Sequence, residues 1–348
     1  MRIAVDKNSY NIVKDDGNEY IYVFNFETYE ELIKLNMHCI HYKCCPFVDI
    51  NTTEYELECI KTSKIEEDKW DELPQKENHK FAIIVPNYNN DHGEHNGKTF
   101  FRNCIDSILD QTYKNFDLII VDDCSTDTSI ETVESYNDPR IHLIKNKRKR
   151  YNGGSRNVGI EYALDNLDFD YFCFLDSDDW WKHNEVLEKI NQRLYNHELM
   201  TLGCEMLKEN GNIGGRTLHE VLRYEDLWSL NNKLWCTAWA RVIRKDKIQY
   251  FCEDTLMEDR VWTYKIADNI DFKNVINLKE IVYVWNRKNV TNSVSLSRSN
   301  FWNASAYCHI ANQLQMLEGL KHKEFEPIIR HRVEECIRRV NNGIYQQY

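Results

Sequence analysis

No apolar run in this chain approaches the roughly 18 residues that a membrane-crossing helix needs. The opening, Met1 to Lys7, also lacks the apolar stretch of a secretory leader. Neither a membrane span nor export is therefore expected. None of the 12 cysteines belongs to a C-x-x-C pair. Scattered thiols of this kind suit a reducing compartment, so the expected location is cytoplasmic, and the N-x-[ST] matches at Asn51, Asn289 and Asn303 are then coincidental. Positive charge is short as well. With 44 Lys and Arg against 56 Asp and Glu, the formal net charge is -12. That argues against nucleic-acid binding by the surface as a whole, but not by one local basic patch.

What is present is a globular composition: 348 residues, 42% hydrophobic and 12% aromatic, enough for about two domains. Residues 1–78 read as a small α+β piece. Strands are expected at 3–5, 20–24 and 37–42, and a short helix at 29–35, where Thr28 and Glu31 have capping-box spacing. His38, Cys39, His41, Cys44 and Cys45 have the right chemistry for zinc but not its paired spacing, and strand alternation accounts for them equally. Residues 61–80 are highly charged, contain Pro74 and read as a linker.

From Phe81 the pattern alternates. Apolar runs at 81–85, 118–121, 141–144 and 171–175 are separated by helical spacings, one from about Thr99, one capped by Asp127 and one after Asn152-Gly153-Gly154-Ser155. Such alternation predicts an α/β, mainly parallel sheet with helices on both faces, whose ligands lie beyond the carboxyl ends of the strands. Two acidic turns belong at those ends, Asp122-Asp123 and Asp176-Ser177-Asp178-Asp179. Clustered carboxylates repel one another unless a cation sits among them. A hard divalent ion, Mn²⁺ or Mg²⁺, shared with substrate phosphates is the simplest occupant.

Five segments now stand in order: Val85-Pro86-Asn87-Tyr88-Asn89, Ser107 to Tyr113, Val121 to Asp127, Gly154-Ser155-Arg156-Asn157-Val158-Gly159, and Leu175 to Asp179. Together they resemble the family 2 glycosyltransferases over residues 79–298. The resemblance implies a GT-A (Rossmann-like) fold, a nucleotide-diphosphate sugar donor, most simply a UDP-sugar, and inverting transfer. It implies that Pro86, Tyr88, Asp123, Arg156 and Asp178 line the donor site, with Tyr88 against the base and Asp123 accepting a base N–H. Arg156, at a helix start where backbone N–H groups favour phosphate, would face the diphosphate. Asp176, Asp178 and Asp179 match the family's DxD region and are expected to hold the metal.

The second half supplies the acceptor side. Residues 199–207 read as a strand, 211–215 as a mobile turn, and Trp235 to Arg244 resembles the family's segment before its base. Asp259 is the expected base, with Glu258 its competitor, because inverting transfer needs a carboxylate to take the acceptor hydroxyl's proton. Tyr283 to Arg287 and Ser293 to Ser295 resemble the closing segment of the domain and are expected along the donor crevice. The run Lys145 to Arg150 is unusually basic and suggests a polyanionic acceptor. Residues 299–348 read as helical, with Ile329, Val333, Cys336, Ile337 and Val340 forming an apolar stripe. The expected function is transfer of a sugar to a glycan or surface-polysaccharide hydroxyl. The alternatives are glycosylation of a hydroxymethylated DNA base and a non-catalytic nucleotide-sugar-binding module. Oligomerisation is not legible.

Overall fold

The computed structural model describes residues 10–15, 18–23, 78–147, 150–208, 210–217, 237–239, 241–253, 258–271, 274–288, 310–311, 313–321, 323 and 326–341. The chain divides into two compact units, Met1–Gln75 and Lys76–Tyr348. In the first, β1 (Tyr10–Asp15) and β2 (Asn18–Val23) pair antiparallel, Tyr10 opposite Val23 and Asp15 opposite Asn18. The sequence anticipates β2 but not β1, which carries more polar residues and takes its strand form from the pairing. The elements expected at 3–5, 29–35 and 37–42, and the His38–Cys45 group, lie outside the described residues.

The second unit is built on buried strands. In β3 (Phe81–Asn87) and β4 (Phe116–Asp122) every residue is buried, as strands covered by helices on both faces must be. With β5 (Ile141–Lys145) and β6 (Tyr171–Phe174) they form a parallel set in the order β5-β4-β3-β6. The chain steps outward from β3 to β4 and β5, then returns to lay β6 on the other side of β3. That reversal is a topological switch point, and it opens the crevice beyond the strand ends.

The connecting helices are α1 (Phe100–Leu109), α2 (Ser129–Glu134) and α3 (Tyr151–Asn166). Thr99 caps α1 by accepting from the Arg102 N–H. Asp127, the residue before the N-cap Thr128, accepts from the Ser129 N–H at 3.0 Å. Gly159 lets α3 lie close on the sheet, since a Cβ there would come within 2.7 Å of Ile84.

Beyond β6 the sheet continues through β10 (Arg241–Arg244), β8 (Leu199–Leu207), β11 (Val275–Asn286) and β7 (Trp180–Trp181), with β9 (Ile213–Thr217) on β8, making nine strands among the described residues. This half is mixed where a mainly parallel sheet was expected: β10 runs antiparallel to both β6 and β8, and β7 runs antiparallel to β11. The expected turn at 211–215 is shorter than its glycines suggested. Gly211, at φ +80°, closes the turn, and Ile213 already begins β9.

Two further helices matter to the site, α4 (Val186–Leu194) and α5 (Glu258–Ala267). Trp262 on α5 stacks on Phe251, centroids 4.5 Å apart, and meets Phe174 edge-on, so α5 is anchored directly behind the end of β6. In α6 (Glu326–Asn341), Ile329, Val333 and Cys336 are buried as expected. Ile337, one step round the helix from Cys336, is 42% exposed and leaves the predicted stripe. Among the described residues no helix is long and apolar enough to cross a membrane.

Candidate active site

The crevice is walled by the ends of β3, β4 and β6. Pro86 is buried within β3. β6 has already left the ladder after Ile84, so the missing N–H of Pro86 breaks no pairing with it. Pro86 therefore shapes the wall from beneath. Tyr88 is half-buried just past the strand end. Asn87 and Asn89 cross-link this wall to the β4 turn: Asn87 Nδ2 donates to Asp122 and Ser125 at 3.3 Å each, and Asn89 Oδ1 accepts from the Thr126 N–H at 2.6 Å.

Asp123, the expected acceptor of a base N–H, is bonded to the start of α3. It is 2% exposed. Oδ1 accepts from the Arg150 N–H (2.7 Å) and Asn146 Nδ2 (3.0 Å), and Oδ2 accepts from the Tyr151 N–H (2.8 Å). The carboxylate thus satisfies the uncapped start of α3, where Arg150 provides no side-chain cap and Tyr151 sits at φ +59°. The basic run is similarly committed. Lys145 pairs with Glu134 at 2.7 Å and Arg150 with Glu253 at 3.3 Å, so two of its cations already face carboxylates of the same chain.

Arg156 was expected at a helix start facing phosphate. It instead lies in the second turn of α3, 1% exposed. Its Nη2 donates to Asp176 at 2.6 Å, and its Nη1 to Glu258 at 2.6 Å and Asp259 at 3.3 Å. Phe251 lies beneath the guanidinium at 5.3 Å. One buried cation therefore joins the β6 turn to the first turn of α5, and three carboxylates share it. Burial raises the pKa of Asp259, Arg156 opposes that, and Glu258 and Asp176 add to it; the result is about 8. A carboxylate poised there is a proton acceptor matched to neutral solution. Gly153 permits the close approach of α3 to this segment, because a Cβ there would fall 2.3 Å from the Cys252 carbonyl.

The acidic turn divides into two kinds of carboxylate. Asp176 and Asp178 are half-buried at the crevice, whereas Asp179 is 1% exposed. Asp179 Oδ2 accepts from the Tyr283 hydroxyl (2.6 Å) and Oδ1 from the Asn286 N–H (2.7 Å). Asn286 also donates to the Asp178 carbonyl at 3.0 Å, and Trp239 stacks on Tyr283 at 4.4 Å. Asp179 is thus a latch between the turn and β11, each of its oxygens accepting one hydrogen bond from that strand.

Asp176 and Asp178 keep half-buried carboxylates at the crevice, the oxygen donors a hard divalent ion takes. Among the described residues no group of three or more His, Cys, Asp or Glu converges as a metal cage. Two carboxylates completed by substrate oxygens are the arrangement Mg²⁺-like ions use.

The latch and the Arg156 hub were not legible beforehand, since sequence shows neither which carboxylate turns inward nor which cation it meets. Tyr283→Phe removes the hydroxyl that donates to Asp179 Oδ2 and leaves a buried acceptor short of a donor. The expected loss is about 1–3 kcal/mol of unfolding free energy, read from denaturant midpoints; an unchanged midpoint would show that the latch contributes nothing.

Comparison with known proteins places this geometry. The glycosyl transferase family 2 model matches residues 82–256, half of the chain. A UDP-Glc:α-D-GlcNAc-diphosphoundecaprenol β-1,3-glucosyltransferase, WfgD of Escherichia coli, is 31% identical over 147 residues, 42% of this chain and 54% of its own. The poly(ribitol-phosphate) β-N-acetylglucosaminyltransferase TarS of Staphylococcus aureus is 27% identical over 220 residues, 60% of this chain and 36% of its own. The chain thus spans about half or less of the length of these relatives. A crystal structure of TarS residues 1–349 of S. aureus in complex with UDP-GlcNAc superposes with a TM-score of 0.53 at 20% identity, covering 72% of this chain and 70% of that one. The fold is of the GT-A type, and the chain belongs to glycosyl transferase family 2.

Proposed function

We propose that this chain transfers a sugar from a UDP-sugar to a hydroxyl of a glycan acceptor, with inversion, Asp259 acting as general base. The observation that carries this reading is the Arg156 hub, which holds a crevice carboxylate, Asp176, and the α5 carboxylates on one guanidinium. That joins the acidic turn to the first turn of α5, which supports a reading with the donor side and the proton acceptor held next to each other.

Asp176 and Asp178 would hold a divalent ion, which when bound offsets the charge growing on the departing diphosphate. The protein's own contributions are separate. Asp259, with its raised pKa, takes the acceptor proton, and Tyr88 and the β3 and β4 turns bound the space for the nucleotide. The 79–298 segment would be the catalytic domain, with 1–78 as an accessory domain and 299–348 as a helical segment.

The relatives' names support the substrate classes: one uses UDP-Glc, and both act on phosphate-bearing acceptors, a diphosphoundecaprenol-linked sugar and poly(ribitol-phosphate). A TarS structure holding UDP-GlcNAc supports a UDP-sugar as well. The commitment of Lys145 and Arg150 to carboxylates removes part of the support for DNA as acceptor.

Thermal-shift measurements with UDP, GDP, dTDP and CMP, each with and without Mn²⁺, test the donor side. A nucleotide at about 100 times its dissociation constant adds roughly 2.7 kcal/mol of stability. A shift is expected with UDP, enhanced by Mn²⁺. No shift with any nucleotide would overturn the reading.

A further inference from the structure

One excursion beside the crevice takes no part in the arrangement above. After β3 the chain runs out through residues 89–98 before α1 begins. Asn96 and Gly97, at φ +55° and +76°, form the tip of a tight hairpin, as an Asn-Gly pair does. The hairpin is closed by His95 N–H to the Lys98 carbonyl (2.9 Å) and Lys98 N–H to the His95 carbonyl (3.2 Å). Its position is imposed from outside. Asn103 Nδ2 donates to the His95, Lys98 and Thr99 carbonyls, Lys98 pairs with Asp106, and Asn90 donates to Ser177 in the acidic turn at 2.6 Å.

This fastening sets the His95 ring face to face with Trp180, centroids 4.8 Å apart and planes 22° apart. Trp180 directly follows Asp179, the last residue of the acidic turn. Lys288 arrives at the same place from the end of β11. Its N–H donates to Asn286 Oδ1 (2.9 Å), the residue that also holds the Asp178 carbonyl, and its ammonium donates to the Glu94 carbonyl at 3.3 Å. Among the described residues no carboxylate pairs with that ammonium. Burial lowers the His95 pKa, and the charge that adds to the lowering is that of Lys288. In a chain of net charge -12, an ammonium that pairs with no carboxylate among the described residues, held on the Glu94 carbonyl beside a pinned imidazole, is a prepared place for an anion.

We propose that His95 and Lys288 form a subsite for a phosphoryl group of a substrate. The inference rests on the transfer reading only for whose phosphate it is. The chemistry is that of a phosphate monoester, phosphodiester or diphosphate: Lys288 supplies a charge-assisted N–H, and His95 a second N–H from an edge its stack on Trp180 leaves in place. The source is either the acceptor or the donor's diphosphate, and the two can be told apart.

The test uses the full chain labelled with ¹⁵N-histidine, titrated with methyl phosphate and with inorganic pyrophosphate, without nucleotide. Saturable movement of the His95 imidazole signals is expected. Lys288→Met should weaken binding about tenfold, the effect of losing one charge-assisted hydrogen bond. His95→Phe keeps a ring on Trp180 while removing the nitrogens, and should weaken pyrophosphate binding similarly, as read by titration calorimetry on the variant and the parent. If saturating UDP displaces the pyrophosphate, the subsite holds the donor's diphosphate; if pyrophosphate stays bound, it holds the acceptor's phosphate. His95 signals that do not respond to either probe, or equal affinity in Lys288→Met, would overturn the subsite. The readout needs no turnover, so its failure is distinct from failure of the nucleotide screen.

Discussion

Asp259→Asn is expected to lower turnover by about 10²–10⁴, the usual contribution of a positioned general base, while nucleotide binding stays within a factor of two or so of the parent. The amide keeps the shape of the side chain and its place beside Arg156 Nη1, but cannot accept the acceptor's proton. Stability should not suffer. With its pKa raised to about 8, Asp259 is mostly protonated in neutral solution, so the amide changes little charge beside Glu258 and Asp176 there and relieves repulsion only at higher pH. That combination separates the base from a structural acid: activity collapses while the melting temperature holds or rises. Retention of more than about a tenth of the activity would shift the role to Glu258, which is 7% exposed and more tightly bound to Arg156.

The same residue predicts a pH profile. A base works only when deprotonated, and burial with two like-charged neighbours raises the pKa of Asp259 to about 8. For the free protein, kcat/KM is therefore expected to fall about tenfold per pH unit below that value and to level off above it. In Asp259→Asn the residual rate should lose this limb. A profile already flat between pH 6 and pH 8 would show that the group titrating in transfer is not this one.

The parts of the site legible in the sequence are those marked by local signals. Apolar runs at 81–85 and 118–121 announce buried strands because such runs can be solvated on neither face. Acidic residues immediately after them place the crevice, and the alternation of strands and helices supplies the switch point. Side-chain direction across the fold has no such signal. Asp178 and Asp179 are neighbours in sequence and look alike as ligands, yet one remains at the crevice and the other is drawn inward by Tyr283 and Asn286, more than a hundred residues away. Asp123 and Arg156 were placed by the family resemblance in roles that need exposure. Their burial follows from an uncapped helix start in one case and from convergent carboxylates in the other. The His95 hairpin did carry a local signal, Asn96-Gly97, but its meaning depends on Lys288 arriving from β11. The mixed half of the sheet was also hidden, since the apolar patterns of β8 and β10 say nothing about strand direction.

Arg156→Leu is expected to be the most damaging single substitution in the crevice, costing about 3–5 kcal/mol of unfolding free energy, as removal of one partner from a buried ion pair does. The side chain is 1% exposed, so solvent cannot take over its role. Leucine fills part of the volume over Phe251 but leaves Asp176, Glu258 and Asp259 facing one another. The penalty should depend on pH with a definite sign. A carboxylate whose folded pKa lies above its unfolded value holds its proton longer in the fold, so the unfolded state binds fewer protons and stability falls as pH rises between the two values. Asp259 already sits at about 8 with Arg156 in place, and without the guanidinium its window extends upward from the ordinary carboxylate range. The two proteins share the part of this window below about 8, so their denaturant midpoints should lie closer at pH 7 than at pH 9.5. Arg156→Lys keeps one charge but not the fork that reaches both sides, and should recover part of the stability and little of the transfer rate. Equal deficits for Arg156→Leu at the two pH values would mean that the loss comes from packing rather than from the three carboxylates.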